Sequence, residues 1–200
     1  MLPSFLLMSN PTPLLSQDEA PTLPTLQKVG AAINAGKIKR EGTCNRDWTL
    51  SVKRRLGELG KEHKWSVCTS SLLDFEPEWL FDQTWFWSPE NRLRELGLVM
   101  ESEWGSKDEV IYDFEKLLVA RAPYKVMIFE ADGGECEEIF NSLRAGIDSY
   151  RHLCKQEHYV LACWRGSGDG RFDIRSVSWT PGGEMRMYPL RDAMLPTSPE

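Results

Sequence analysis

Two hundred residues, 41% hydrophobic and 27% charged, suit one globular domain with appendages that buries a good core. The net charge of −6 argues against an obligate, high-occupancy nucleic-acid binder, which is basic as a whole. Five cysteines (Cys44, Cys68, Cys136, Cys154, Cys163) form no CxxC pair, and His63, His152 and His158 form no metal-binding spacing; both point away from zinc and toward reduced thiols in a cytoplasmic protein.

Residues 1–24 are rich in Pro, Ser and Thr and read as a flexible arm. Its apolar start, MLPSFLLMSNPTPLL, lacks a basic region and is broken by prolines, so it fits a secretion signal poorly. Nothing in the chain is long enough to span a membrane. The single domain is expected over 25–180. It opens on TLQKVGAAINAG (25–36), a short helix closed by Gly36, and continues after a basic linker with a second helix over 46–63. Trp48, Val52, Leu56 and Leu59 form the stripe of that second helix. Residues 28–64 carry ten Lys or Arg against four acids, which leaves about −12 for the remainder. This segment, with Lys53, Arg54 and Arg55 at its centre, is a landing surface for phosphates or a solvated helix face balanced by acidic neighbours.

Strands are expected at 65–71, 77–87 and 92–104, the last two joined by the turn SPEN (88–91). Ser106 and Glu109 form a capping box that opens a helix over 107–121, which ends before Pro123. YKVMIFEA (124–131) is apolar nearly throughout, as expected of a central strand covered on both faces. Asp132 and Glu135 form a second capping box, opening a helix with the stripe Ile139, Leu143, Ile147, Tyr150 and Cys154. Strands follow at 158–164 and 171–179, and the tail over 181–200 carries little pattern. The fold class is α/β, a mixed central sheet flanked by helices. With no GxGxxG or GxxxxGK[ST] and no regular βαβ alternation, the pattern is not that of a dinucleotide-binding fold.

The chemistry concentrates in two strands. Folding 77–104 as a hairpin about residues 90 and 91 places Asp82 roughly opposite Val99 and diagonal to Glu101. Glu101 and Glu103 share a pleat face about 6.6 Å apart. Three carboxylates on one face repel one another, and a divalent cation relieves this. Mg²⁺ prefers oxygen ligands and takes one or two protein carboxylates, completing its shell with water and substrate phosphate. Each acid also has a structural reading: Glu103 as a solvated strand end, Asp82 as an acceptor from a neighbouring loop. Of eight tryptophans, Trp48, Trp79, Trp85 and Trp104 fall on core stripes, and Trp87 is the freest to stack on a base.

In element order and acid placement the chain resembles the PD-(D/E)XK nuclease superfamily, whose restriction-endonuclease-like core runs αβββαβ. The resemblance covers roughly residues 46–165. It implies Asp82 as the acid of the second core strand and Glu101 as that of the third, together holding Mg²⁺, with Mn²⁺ as substitute. The residue two beyond the third-strand acid is usually lysine and here is Glu103, a Glu-x-Glu variant that would ligate or act as general base. In some branches the lysine has moved to the following helix, which implies Lys116 in DFEKLL. An acid on the first core helix sometimes joins, and Glu58 is the candidate. The helical wheel sets Lys116 roughly 160° from the apolar face of Val110, Ile111, Phe114, Leu117 and Leu118, in solvent, paired with Asp113 at i,i+3. The resemblance implies a Mg²⁺-dependent nuclease acting on DNA, with nucleic acid and a second copy of the chain as partners and no membrane. Two rivals stand beside it: a catalytically inactive nucleic-acid- or protein-binding module of the same fold, and a glycosidase using paired carboxylates.

Overall fold

The structure is a computed structural model that describes residues 20–36, 45–70, 72, 74–152, 156–165, 172–179 and 183–190. Most of the expected arm (1–19), the linker 37–44, Cys44, Cys154 and the end of the tail (191–200) lie outside the described residues.

Helix α1 (Leu26–Ala35) starts where the Thr25 side chain accepts from the Lys28 amide and stops at Gly36. Helix α2 (Asn45–Glu62) follows. Strands β1 (Ser66–Thr69), β2 (Gln83–Trp87) and β3 (Glu95–Glu103) form an antiparallel meander. The β2–β3 turn is centred on Glu90 and Asn91, with φ of 56° and 57°, closed by Arg92 N donating to Pro89 O. Positive φ at both central residues is the primed turn whose twist matches the strands it joins. Helix α3 (Lys107–Val119) opens on the expected Ser106/Glu109 capping box, and β4 (Tyr124–Glu130) returns parallel to β3. Helix α4 (Gly133–Ser149), β5 (His158–Trp164), β6 (Phe172–Trp179) and β7 (Met185–Pro189) complete the chain.

All seven strands join one mixed sheet in sequence order, parallel from β3 to β5 and antiparallel outside. The crossovers β3–α3–β4 and β4–α4–β5 lay both helices on one face, where Phe114, Leu117, Ile139, Phe140 and Leu143 pack on Val99, Met127, Phe129 and Leu161. Helices α1 and α2 cover the other face, against Trp85, Leu98, Met100, Val126 and Val160. The continuous apolar run of β4 is buried on both sides, as its composition requires.

Several expectations are corrected. Asp132 precedes α4 but makes no side-chain cap; only its carbonyl accepts from Glu135, so there is no second capping box. That helix ends at Ser149, before Cys154. The segment 77–82 is not strand, because Leu80 turns the chain with φ of 65°. Trp79 is 41% exposed and not core, whereas Trp87 packs against the α2-side cluster. The tail contributes β7, an edge strand whose Met185 and Met187 lean on the α4-side core. Residues 20–24, expected in the arm, dock on the domain: Thr22 O accepts from Trp65 Nε1 at 2.9 Å and Pro24 O from Tyr124 Oη at 2.8 Å.

Candidate active site

β2 runs antiparallel to β3, so the start of β2 and the end of β3 lie at the same edge of the sheet, where β3 turns into α3. That is the carboxyl end of the parallel strands, the usual place for a crevice in an open α/β sheet. The β2–β3 register is not the one expected. Thr84, not Asp82, lies opposite Val99, and the pairing slips at a bulge between Trp85 and Phe86 that leaves Gly97 unpaired. A Cβ on Gly97 would stand 2.6 Å from the Trp65 ring, so only glycine fits there without a shift. The slip carries Asp82 one residue past the start of β2, level with Glu101.

Past the end of the ladder, the Asp82 carboxylate does the work of a strand carbonyl. Its Oδ2 accepts from the Ser102 backbone N at 2.9 Å and from Ser102 Oγ at 2.6 Å. Its Oδ1 accepts from Lys53 Nζ at 2.9 Å, and Lys53 also donates to Ser70 Oγ at 2.9 Å. Thr69 Oγ1 donates to the Asp82 carbonyl at 2.9 Å and fixes the backbone. Lys53 is therefore buried, 3% exposed, and holds Asp82 instead of facing a phosphate. Gly57 and Gly60, four and seven residues on, explain its position. They let α2 press against Phe75, Gln83 and Trp85, drawing that side of the helix inward. The two glycines are the signal for Lys53 that lay in the sequence.

Glu101 points to the opposite face and is 4% exposed. Lys116 Nζ reaches it from α3, 2.8 Å from Oε1, and contacts Asp113 Oδ1 at 3.1 Å. The ammonium and the buried Oε1 form a close ion pair. Lys116 is half in solvent, as the wheel implied, with its side chain 41% exposed. Its four-carbon stem nevertheless lets the head reach the acid, a reach that wheel angles do not include. Burial pushes the Glu101 carboxyl up to about 7; Lys116 opposes the rise, and the Asp82 and Asp113 charges add to it. Burial works against the Lys116 charge, but Glu101 and Asp113 outweigh it and hold the ammonium up at about 12.

Glu103 does not join them. Its Oε1 accepts from the Trp104 and Gly105 amides at 2.8 and 2.7 Å, clamping the turn into α3. Glu58 pairs with Arg55 at 3.0 Å on the outer flank of α2, and Arg54 forks onto Asp74 at 3.1 and 3.3 Å. The expected convergence of three acids on one face is not found: Asp82 is held by Lys53 on the α2 side and Glu101 by Lys116 on the α3 side, near enough for the Asp82 charge to act on Glu101. Sequence reasoning missed Lys53 and Ser102 as partners of Asp82.

Among the described residues no group of three or more His, Cys, Asp or Glu is placed to hold a metal ion. Two carboxylates are nonetheless within what Mg²⁺ takes from a protein. The Lys116 ammonium stands at Glu101 Oε1, and the Asp82 oxygens accept from Lys53 and Ser102, so a cation there would share or displace these contacts. The donor types fit a hard divalent ion. Three free, buried thiols (Cys68, Cys136, Cys163) are described, and no described helix is long and apolar enough to cross a membrane. Comparison of the chain with family models, with curated proteins and with solved structures finds no match.

Proposed function

We propose that the chain is a metal-dependent nuclease with a restriction-endonuclease-like core, hydrolysing phosphodiester bonds of DNA. The observation that carries this reading is Lys116, brought from α3 to 2.8 Å from Glu101 beside Asp82. That juxtaposition supplies the two acids and one lysine of the resemblance, with the lysine in its migrated place. The element order α2–β1–β2–β3–α3–β4 supports it independently.

Asp82 and Glu101 would hold Mg²⁺. Bound there, the ion supplies Lewis acidity toward a phosphoryl oxygen and lowers the pKa of an attacking water. The chain's own residues do the rest. Lys53 and Ser102 hold the Asp82 carboxylate at the ladder end, so little reorganisation is needed when substrate arrives. Lys116 keeps its proton through neutral pH and places positive charge where a phosphate gains negative charge. Asp113 tethers that ammonium by a contact one helical turn away. Glu103 sets the β3–α3 turn and so the position of Lys116, a positioning role in place of a general base. Arg54 and Arg55, exposed on α2, remain the candidates for backbone contacts.

The test is cleavage of labelled DNA by the full chain with Mg²⁺ or Mn²⁺. Asp82→Ala, Glu101→Ala and Lys116→Met are each expected to lower the rate at least 100-fold with unchanged far-UV circular dichroism. Parent-like cutting by the two acid variants ends the assignment. One observation favours the rival of an inactive binding module: both Asp82 oxygens are already engaged. Calorimetric titration with Mn²⁺ separates the two, because the module shows no saturable heat that depends on Glu101.

A further inference from the structure

Three residues before Asp82 the chain makes a tight turn that faces water with its most apolar side chains. Trp79 is 41% exposed and Leu80 69%. A bulky residue at positive φ is an outlier, yet Leu80 sits at 65°. The turn is rigid. Trp79 O accepts from the Phe81 amide at 2.9 Å and from Thr84 Oγ1 at 3.1 Å, and Thr84 is fully buried. Phe81 anchors it from below in the α3-side core. The strain is held so that Phe81 points in, Asp82 meets Lys53 and Ser102, and Trp79 and Leu80 point out.

Chain geometry sets the reach. Two and three residues extend at most about 7 and 10 Å, so Leu80 and Trp79 branch from the chain within that span of the Asp82 backbone. The neighbouring Glu76 and Glu78 are exposed. A phosphate backbone is repelled there, whereas the uncharged face of a base is not.

Resting on the nuclease reading, we infer that Trp79, with Leu80 as its wedge, stacks an unpaired nucleobase next to the phosphate held at Asp82 and Glu101. The substrate class is therefore single-stranded DNA, or a duplex end whose terminal base has left the stack. Stacking on an aromatic side chain is sequence-tolerant, since every base offers a π-face. A fully paired base offers only its edge to a side chain outside the duplex, so an intact duplex gains nothing from this turn.

The experiment titrates the full chain into a single-stranded DNA dodecamer carrying one 2-aminopurine, and into a hairpin duplex of the same sequence. Both titrations run in EDTA and again in Ca²⁺. The parent is expected to quench the single strand and bind it more tightly than the duplex. Trp79→Ala is expected to lose about 5- to 150-fold in single-strand affinity, the span of one aromatic–base stack, with duplex binding unchanged. Trp79→Phe keeps a stacking face and is expected to recover most of the loss. If Trp79→Ala binds both DNAs like the parent, or weakens both equally, the inference is overturned while the nuclease assignment stands on its cleavage data. A parent that binds neither DNA and cuts neither removes the proposed function and this inference with it.

Discussion

Replacing Glu101 with Gln is expected to stabilise the metal-free protein at alkaline pH and to disable it. In the fold the carboxyl rises from 4.5 to about 7, chiefly through burial. At 1.36 kcal/mol per unit, ionising it costs the folded state about 3 kcal/mol once the pH exceeds both values. The sign follows from proton counts. Between the unfolded and folded values the native state binds more protons, so the parent loses stability as pH rises through that window. Glutamine, nearly isosteric and always neutral, does not. The gap between Glu101→Gln and parent should grow from about 1 kcal/mol at pH 5 to about 3 kcal/mol at pH 8. Urea unfolding in EDTA at pH 5, 6, 7 and 8 measures it, with m-values checked for constancy. A parent more stable than the variant at pH 8, or a gap that ignores pH, refutes the burial of a charged Glu101.

If the site holds a cation as proposed, the same rise would govern its binding. Calorimetry should show Mg²⁺ affinity falling about tenfold per unit below pH 7 and level above, with a proton released on binding in the acid range. Lys53→Met strips the ammonium from a carboxylate whose side chain is 23% exposed and should cost about 2–3 kcal/mol in chemical denaturation. Adding Asp82→Asn to that variant should recover most of the loss, because no uncompensated charge remains. Glu103→Gln retains the acceptor for the Trp104 and Gly105 amides and should keep stability within about 0.5 kcal/mol and most of the cleavage rate. Glu103→Ala should lose about 1–2 kcal/mol and slow cleavage by loosening the turn that aims α3. Equal loss of cleavage in Glu103→Gln and Glu101→Gln points instead to Glu103 as the base.

Local physics carried much of the fold into the sequence. The Ser106/Glu109 box, the turn at 88–91 and the doubly buried run of β4 depend on near neighbours, and each stands where its residues put it. The Asp113–Lys116 contact, one helical turn long, was legible for the same reason. Elements that depend on distant partners were not. β7 has a weak pattern because it only lines an edge, and Trp79 looks like core until Leu80 reverses the chain.

The site divides along the same line. Sequence by itself determined which acids are available and that they flank one hairpin, since alternation and turn chemistry are local. Only the tertiary structure decided what each acid does. The Gly97 bulge under Trp65 slipped the register and brought Asp82 level with Glu101, and the close approach at Gly57 and Gly60 turned Lys53 inward. Burial beneath α3, no property of the residue itself, set the proton affinity of Glu101 and gave Lys116 a carboxylate to reach. Pairing register, helix approach and desolvation are long-range quantities, and no window of neighbouring residues contains them.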